Sequence, residues 1–172
     1  VYSCCQTIEI FIRDQLQSVA YLFSNVLQYL MKYVKSYEIF QTIECLLANC
    51  KMPLHNLSDF IIELINLLPN ATMDQAYSIL YCLSLSIENT DTIDENIYLN
   101  IRTILFSTVE LHSDFRGPIL NCFGNFIKVS PKSVTKDLEL IFNIIINSLS
   151  SPLEPVFVFA INCINNFIEY IQ

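Results

Sequence analysis

Apolar residues recur along this chain at helical spacing, in segments separated by prolines, asparagines and capping residues. From Gln15 to Lys35 the residues Leu16, Val19, Ala20, Phe23, Val26, Leu27, Leu30, Met31 and Val34 fall at i, i+3, i+4 and i+7, which predicts a long amphipathic helix. Cys5, Ile8 and Ile12, within Tyr2 to Arg13, give the end of an earlier one. Tyr37 to Lys51 follows, with Phe40, Ile43, Leu46, Leu47 and Cys50 on one face and Pro53 as the stop. Leu57 to Leu68 turns Ile61, Leu64, Ile65 and Leu68 inward and Asp59, Glu63 and Asn66 outward, and Pro69-Asn70 ends it. Asp74 to Glu88 presents Ala76, Tyr77, Leu80, Leu83 and Ile87. Thr92 and Glu95 have capping-box spacing for a helix running to about Leu111, with Ile97, Ile101, Ile104 and Leu105 on its apolar side. Asp114 to Pro118 opens the next helix, whose buried face is Ile119, Cys122, Phe123, Phe126 and Ile127. After Ser130-Pro131, Val134 to Leu149 places Leu138, Ile141, Ile145 and Leu149 inward. Ser151-Pro152-Leu153-Glu154 reads as a cap for a last helix, Glu154 to Ile171. Runs such as Ile144-Ile145-Ile146 lack the alternation of strands, so helix is the reading throughout.

The pattern repeats. Asn121-Cys122-Phe123-Gly124-Asn125-Phe126-Ile127 returns 41 residues later as Asn162-Cys163-Ile164-Asn165-Asn166-Phe167-Ile168. Cys5, Cys45, Cys82, Cys122 and Cys163 are separated by 40, 37, 40 and 41 residues, and first helices begin near 37, 74, 114 and 154. Two markers thus keep the same step. A period of this length carried on helices predicts an all-α chain, a right-handed α-α superhelix of stacked antiparallel helix pairs of HEAT or armadillo type. The expected repeats are about 1–35, 37–68, 74–111, 114–149 and 154–172, the last incomplete, in a single solenoid segment. A lone helix pair buries too little apolar surface to offset the entropy of ordering it, so such units fold together.

Composition fits that reading. The 172 residues are 53% hydrophobic, with a mean hydropathy of +0.44. No stretch reaches the roughly 18 apolar residues that would cross hydrocarbon, and Leu138 to Leu149 is interrupted by Glu139, Asn143, Asn147 and Ser148. Helices covered by neighbours on both sides explain the excess without membrane insertion. Nine Lys and Arg against 17 Asp and Glu give a net charge of −8, which disfavours direct nucleic-acid binding and suits a basic protein partner. Seven cysteines, none in a Cys-x-x-Cys pair, point to a reducing cytoplasmic or nuclear compartment, and the sequons at Asn56 and Asn70 are then chance matches. The chain opens at Val1 and stops at Gln172 inside a helical pattern, which reads as a piece of a longer protein.

Candidate chemistry is sparse. One thiol per repeat on an apolar face is what close helix packing selects, and a lowered pKa that would make it reactive has no visible source. His55 and His112 lie at helix ends without a second ligand in metal spacing. Asn121 and Asn162 could form a hydrogen-bonded ladder between repeats, and plain exposure is the favoured reading because a buried unpaired amide is costly. Glu88, Asp91, Asp94 and Glu95 surround one turn and favour the helix start that follows. The protein-binding candidates are the outward stripes of the second helices, Glu63 and Asn66, then Asn100, Thr103 and Ser107, then Glu139, Asn143 and Asn147, which in a superhelix would line the concave side; a solvated face is the plainer alternative. No Gly-x-Ser-x-Gly and no phosphate loop is present, so no enzyme, cofactor or metal is expected.

Asp114 and Arg116, then Phe123-Gly124, then Val129-Ser130-Pro131, with Pro155-Val156 and Ala160 opening the last helix, resemble middle repeats of the importin-β superfamily of nuclear transport receptors. Phe157 stands where the pattern carries Arg. The resemblance spans roughly Asp114 to Ile171. It implies a transport receptor that holds protein cargo and a small GTPase on its concave face and nucleoporins on its convex one, and it maps no binding residue onto this chain. The other expectation is an adaptin-like or phosphatase-type HEAT scaffold subunit.

Overall fold

The computed structural model describes residues 7–8, 10, 20–31, 37–49 and 57–170. Among them all regular structure is helical and no strand occurs. Two compact units form, Val1–Thr90 and Asp91–Gln172, dividing at the turn after Glu88, inside the third expected repeat. Cys5, most of the Tyr2 to Arg13 helix, the ends of the Gln15 to Lys35 helix, Cys50, Lys51, Pro53 and His55 lie outside the described residues.

The first unit holds α1 (Ala20–Met31), α2 (Tyr37–Asn49), α3 (Leu57–Leu67), a 3-10 turn at Leu68–Asn70, and α4 (Met73–Glu88). Phe40, Ile43, Leu46 and Leu47 of α2 are buried, as are Ile61, Leu64 and Ile65 of α3 and Ile79, Leu80, Leu83 and Ile87 of α4. The 3.6-residue period puts each set on one side of its helix. Helix α2 runs against α4, as expected of first helices one period apart, and α3 also packs on α4. Tyr77, expected inward, is exposed, since the apolar side of α4 centres on Ala76, Ile79, Leu80 and Leu83.

A capping box does occur in this unit, at a place the sequence pattern did not single out. Thr72 Oγ1 accepts from Gln75 N, and Gln75 Oε1 accepts from Thr72 N at 3.1 Å. The expected box at Thr92 is replaced by Asp94, whose Oδ1 accepts from Asn96 N at 2.8 Å. A carboxylate two residues before that amide is the stronger cap, because it also complements the positive end of the helix.

The second unit holds α5 (Glu95–Leu111), a 3-10 turn at Ser113–Phe115, α6 (Arg116–Val129), a helical turn at Pro131–Val134, a 3-10 turn at Thr135–Asp137, α7 (Leu138–Leu149) and α8 (Glu154–Tyr170). Ile119, Cys122, Phe123, Phe126 and Ile127 are buried as expected, and α6 lies along α8, one period on. The continuous helix expected from Val134 to Leu149 is instead broken at Thr135–Asp137, where Asp137 turns inward to meet partners on α5. Further along, Ser148 takes the buried place assigned to Leu149, because its hydroxyl donates to the Ile144 carbonyl at 2.7 Å and so enters the core satisfied. Ser151 closes a local turn by accepting from Leu153 N, and α8 begins at Glu154, as expected, with Pro155 in a first turn that needs no N–H.

Gly117 and Gly124 let α6 approach α8. A Cβ at Gly117 would lie 3.2 Å from Phe159 Cδ2 and 3.3 Å from Val156 Cγ2, and one at Gly124 would lie 3.2 Å from Asn166 Nδ2. Alanine in a helix gains about 0.5–1 kcal/mol over glycine. At Gly124 the obstacle is the end of a flexible side chain, so Gly124→Ala should leave stability within about 1 kcal/mol of the parent. At Gly117 two packed side chains must move, at a cost of about 1–3 kcal/mol. Gly117→Ala is therefore the more destabilising in denaturant titration, and equal effects would contradict this packing.

Candidate functional site

All eight stripe residues are exposed: Glu63 and Asn66 on α3, Asn100, Thr103 and Ser107 on α5, and Glu139, Asn143 and Asn147 on α7. Thr103 donates its hydroxyl to the Leu99 carbonyl at 2.9 Å and Ser107 donates to the Thr103 carbonyl at 2.8 Å, so both are turned back onto their own helix. On α7 the polar residues alternate with exposed Phe142 and Ile146. That surface is therefore amphipathic.

In the first unit Asn66 lines a half-open cleft of about 230 Å³, floored by Phe40 and Ile79. The rest of its wall is Leu67, the turn residues Asn70 and Ala71, and Gln75 at the start of α4. Pro69 sits inside the 3-10 turn that ends α3, and Ala71 beyond it is extended, so the turn itself forms one wall of the cleft. No charged side chain lines it.

A polar cluster absent from the sequence reading lies in the second unit. Asp137, only 4% exposed, receives the Tyr98 hydroxyl on Oδ2 at 2.8 Å and Arg102 Nε on the same oxygen at 2.6 Å, while Arg102 also pairs with Oδ1. Tyr98, Ile101, Arg102 and Leu105 share one side of α5, which brings the arginine to the buried side. Burial, and then the bond to the carboxylate, push the Tyr98 phenol well above its usual range, and Arg102 is raised by its own bond to Asp137. Three donors from α5 converge on the one carboxylate, so the cluster is a lock between α5 and the start of α7. Its signal in the sequence is an arginine inside an apolar stripe.

The recurrent thiols are chemically quiet. Cys82, Cys122 and Cys163 are buried and Cys45 is half-buried. Burial pushes Cys163 up to about 12 and Cys122 higher, while Cys82 is raised by burial and then by the charge of Glu44. Glu44 is itself raised by burial, against the bond from Ser78 that favours its charged form. A thiol or phenol held neutral by the fold stabilises it below its unfolded pKa, and that stability is lost as pH rises past about 8.5 for cysteine and about 10 for tyrosine. The urea midpoint should therefore fall between pH 7 and pH 10. At pH 8 a disulfide reagent should leave Cys82, Cys122 and Cys163 unmodified until the chain unfolds. Rapid labelling of the native protein at Cys122 would contradict this.

Asparagines do form bonds between repeat-related helices, though not at the positions singled out. Asn121 is half-buried and Asn162 exposed. Asn166 Nδ2 instead donates to the Gly124 carbonyl at 2.9 Å, and Asn89 Nδ2 donates to the Leu47 carbonyl at 2.9 Å. Each bond spans 42 residues. Cys82 Sγ approaches the Phe40 carbonyl at 3.9 Å across the same interval.

Compared with known protein families, curated proteins and solved structures, the chain matches none. Among the described residues no group of three or more His, Cys, Asp or Glu could hold a metal ion, and no helix is long and apolar enough to cross a membrane. His112 is exposed at the end of α5, with its ring edge-on to Phe115.

Proposed function

We propose that this chain is a protein-binding helical-repeat scaffold, built from antiparallel helix pairs stacked in a HEAT-like superhelix. The observation that carries the reading is the pair of amide-to-carbonyl bonds, Asn89 to Leu47 and Asn166 to Gly124, each joining first helices 42 residues apart. A repeat that recognises its predecessor through backbone is what a quasi-one-dimensional array needs. Exposed amides and carboxylates, on α3 in the first unit and on α5 and α7 in the second, give each unit polar groups for recognition.

Within that class the reading is a segment of a nuclear transport receptor working between cytoplasm and nucleus, carrying protein cargo and binding a small GTPase and nucleoporins. Its support is the pattern from Asp114 to Ile171. Capture of GTP-loaded Ran by the full-length protein tests this. Nucleotide-dependent retention, weakened by charge changes at Glu139 and Asn143, is the expected result, and equal retention of the GDP and GTP forms, or none, overturns the transport reading.

A further inference from the structure

We propose that the cleft between α2, the α3–α4 turn and α4 is a docking site for an extended segment of a protein partner, one that inserts a single large apolar side chain flanked by lysine or arginine. The proposal rests on the protein-binding reading above and gives that reading a ligand chemistry. At about 230 Å³ the space falls below the roughly 300–1,000 Å³ of clefts that hold a whole small molecule, and it suits one side chain. Its floor is apolar, with Phe40 2% and Ile79 1% exposed, so an inserted group gains by leaving water.

The rim is built for main chain. The side-chain amides of Asn66 and Asn70 make no hydrogen bond to another described residue, and the Gln75 Oε1 is held by the capping box at Thr72. These amides offer donors and acceptors to a peptide backbone crossing the opening. They carry no charge, so specificity for the flanking residues must come from further out.

Exposed carboxylates supply it. Glu63 lies three residues before Asn66 on α3, and Asp74 adjoins Gln75 on α4. Between Met52 and Thr90 the chain carries Asp59, Glu63, Asp74 and Glu88 and no lysine or arginine. Basic residues beside the anchor therefore meet the Glu63 and Asp74 carboxylates, which favours basic over acidic segments.

Fluorescence anisotropy with the full chain and a fluorescein-labelled peptide, Ser-Lys-Arg-Leu-Lys-Ser, tests the site. Ala71 has an extended backbone, with φ −78° and ψ 147°, that any L residue adopts, so Ala71→Leu fills the cleft without backbone strain. Saturable binding is expected, weakened about tenfold or more by Ala71→Leu at unchanged melting temperature. Replacing the peptide's leucine with serine should cause a similar loss. Glu63→Gln combined with Asp74→Asn should weaken binding and flatten its salt dependence. Absence of binding, or full-strength binding by Ala71→Leu or to the serine peptide, overturns the proposal. If binding still needs the carboxylates when Ala71→Leu has no effect, basic segments dock elsewhere on the chain: the cleft assignment fails while the scaffold reading stands.

Discussion

Asp137→Ala is expected to lower the unfolding free energy by about 3 kcal/mol, toward the lower end of the 3–5 kcal/mol lost when one partner of a buried pair is removed. Asp137 is almost wholly buried, whereas the Arg102 side chain is 28% exposed and recovers some hydration when abandoned. What drives the loss is the orphaned guanidinium together with the Tyr98 hydroxyl, both of which point to a carboxylate that is gone. Tyr98→Phe removes one donor and leaves the ion pair, so it should cost only about 0.5–1.5 kcal/mol. By contrast Lys136→Ala, which breaks an exposed pair with Glu95, should change stability by less than about 1 kcal/mol. Urea titration of the three variants ranks them. An Asp137→Ala protein as stable as Lys136→Ala would show that the lock does not hold α5 to α7.

Phe126→Ala should cost about 3–5 kcal/mol, as deletion of a fully buried aromatic ring does. Phe126 meets Tyr98 edge-on, with ring centroids 5.1 Å apart and an 85° angle between planes. The ring thus supports the phenol that reaches Asp137. Losses from Phe126→Ala and Asp137→Ala should then be non-additive by about 0.5–3 kcal/mol, since the second deletion acts on a tyrosine already loosened. Strict additivity in the double-mutant cycle would separate the ring contact from the polar cluster.

Helices and their buried faces were legible where apolar residues recur at helical spacing on the inward side. Ile119, Cys122, Phe123, Phe126 and Ile127 on α6 are such a case, and all are buried. The 40-residue step of the cysteines in the sequence pointed to helices that do touch, α2 with α4 and α6 with α8. The cluster of Tyr98, Arg102 and Asp137 was not, because its members lie 35 and 39 residues apart and each alone looks like a blemish in an apolar stripe. Ser148 was misplaced for a related reason: its hydroxyl is satisfied within its own helix, which spacing cannot reveal. The stripe residues were correctly placed outside, yet the cleft beside Asn66 was unforeseen, since it arises from the path of the chain through Leu68-Pro69-Asn70.

Side-chain amides join α4 to α2 and α8 to α6, each reaching the backbone 42 residues earlier. Nuclear Overhauser spectra of the side-chain amide protons of Asn89 and Asn166 test this most directly. Cross-peaks from Asn166 to the Gly124 α-protons and from Asn89 to the backbone around Leu47 are the predicted result. Amide protons with solvent-averaged shifts and contacts only within their own helix would contradict the account.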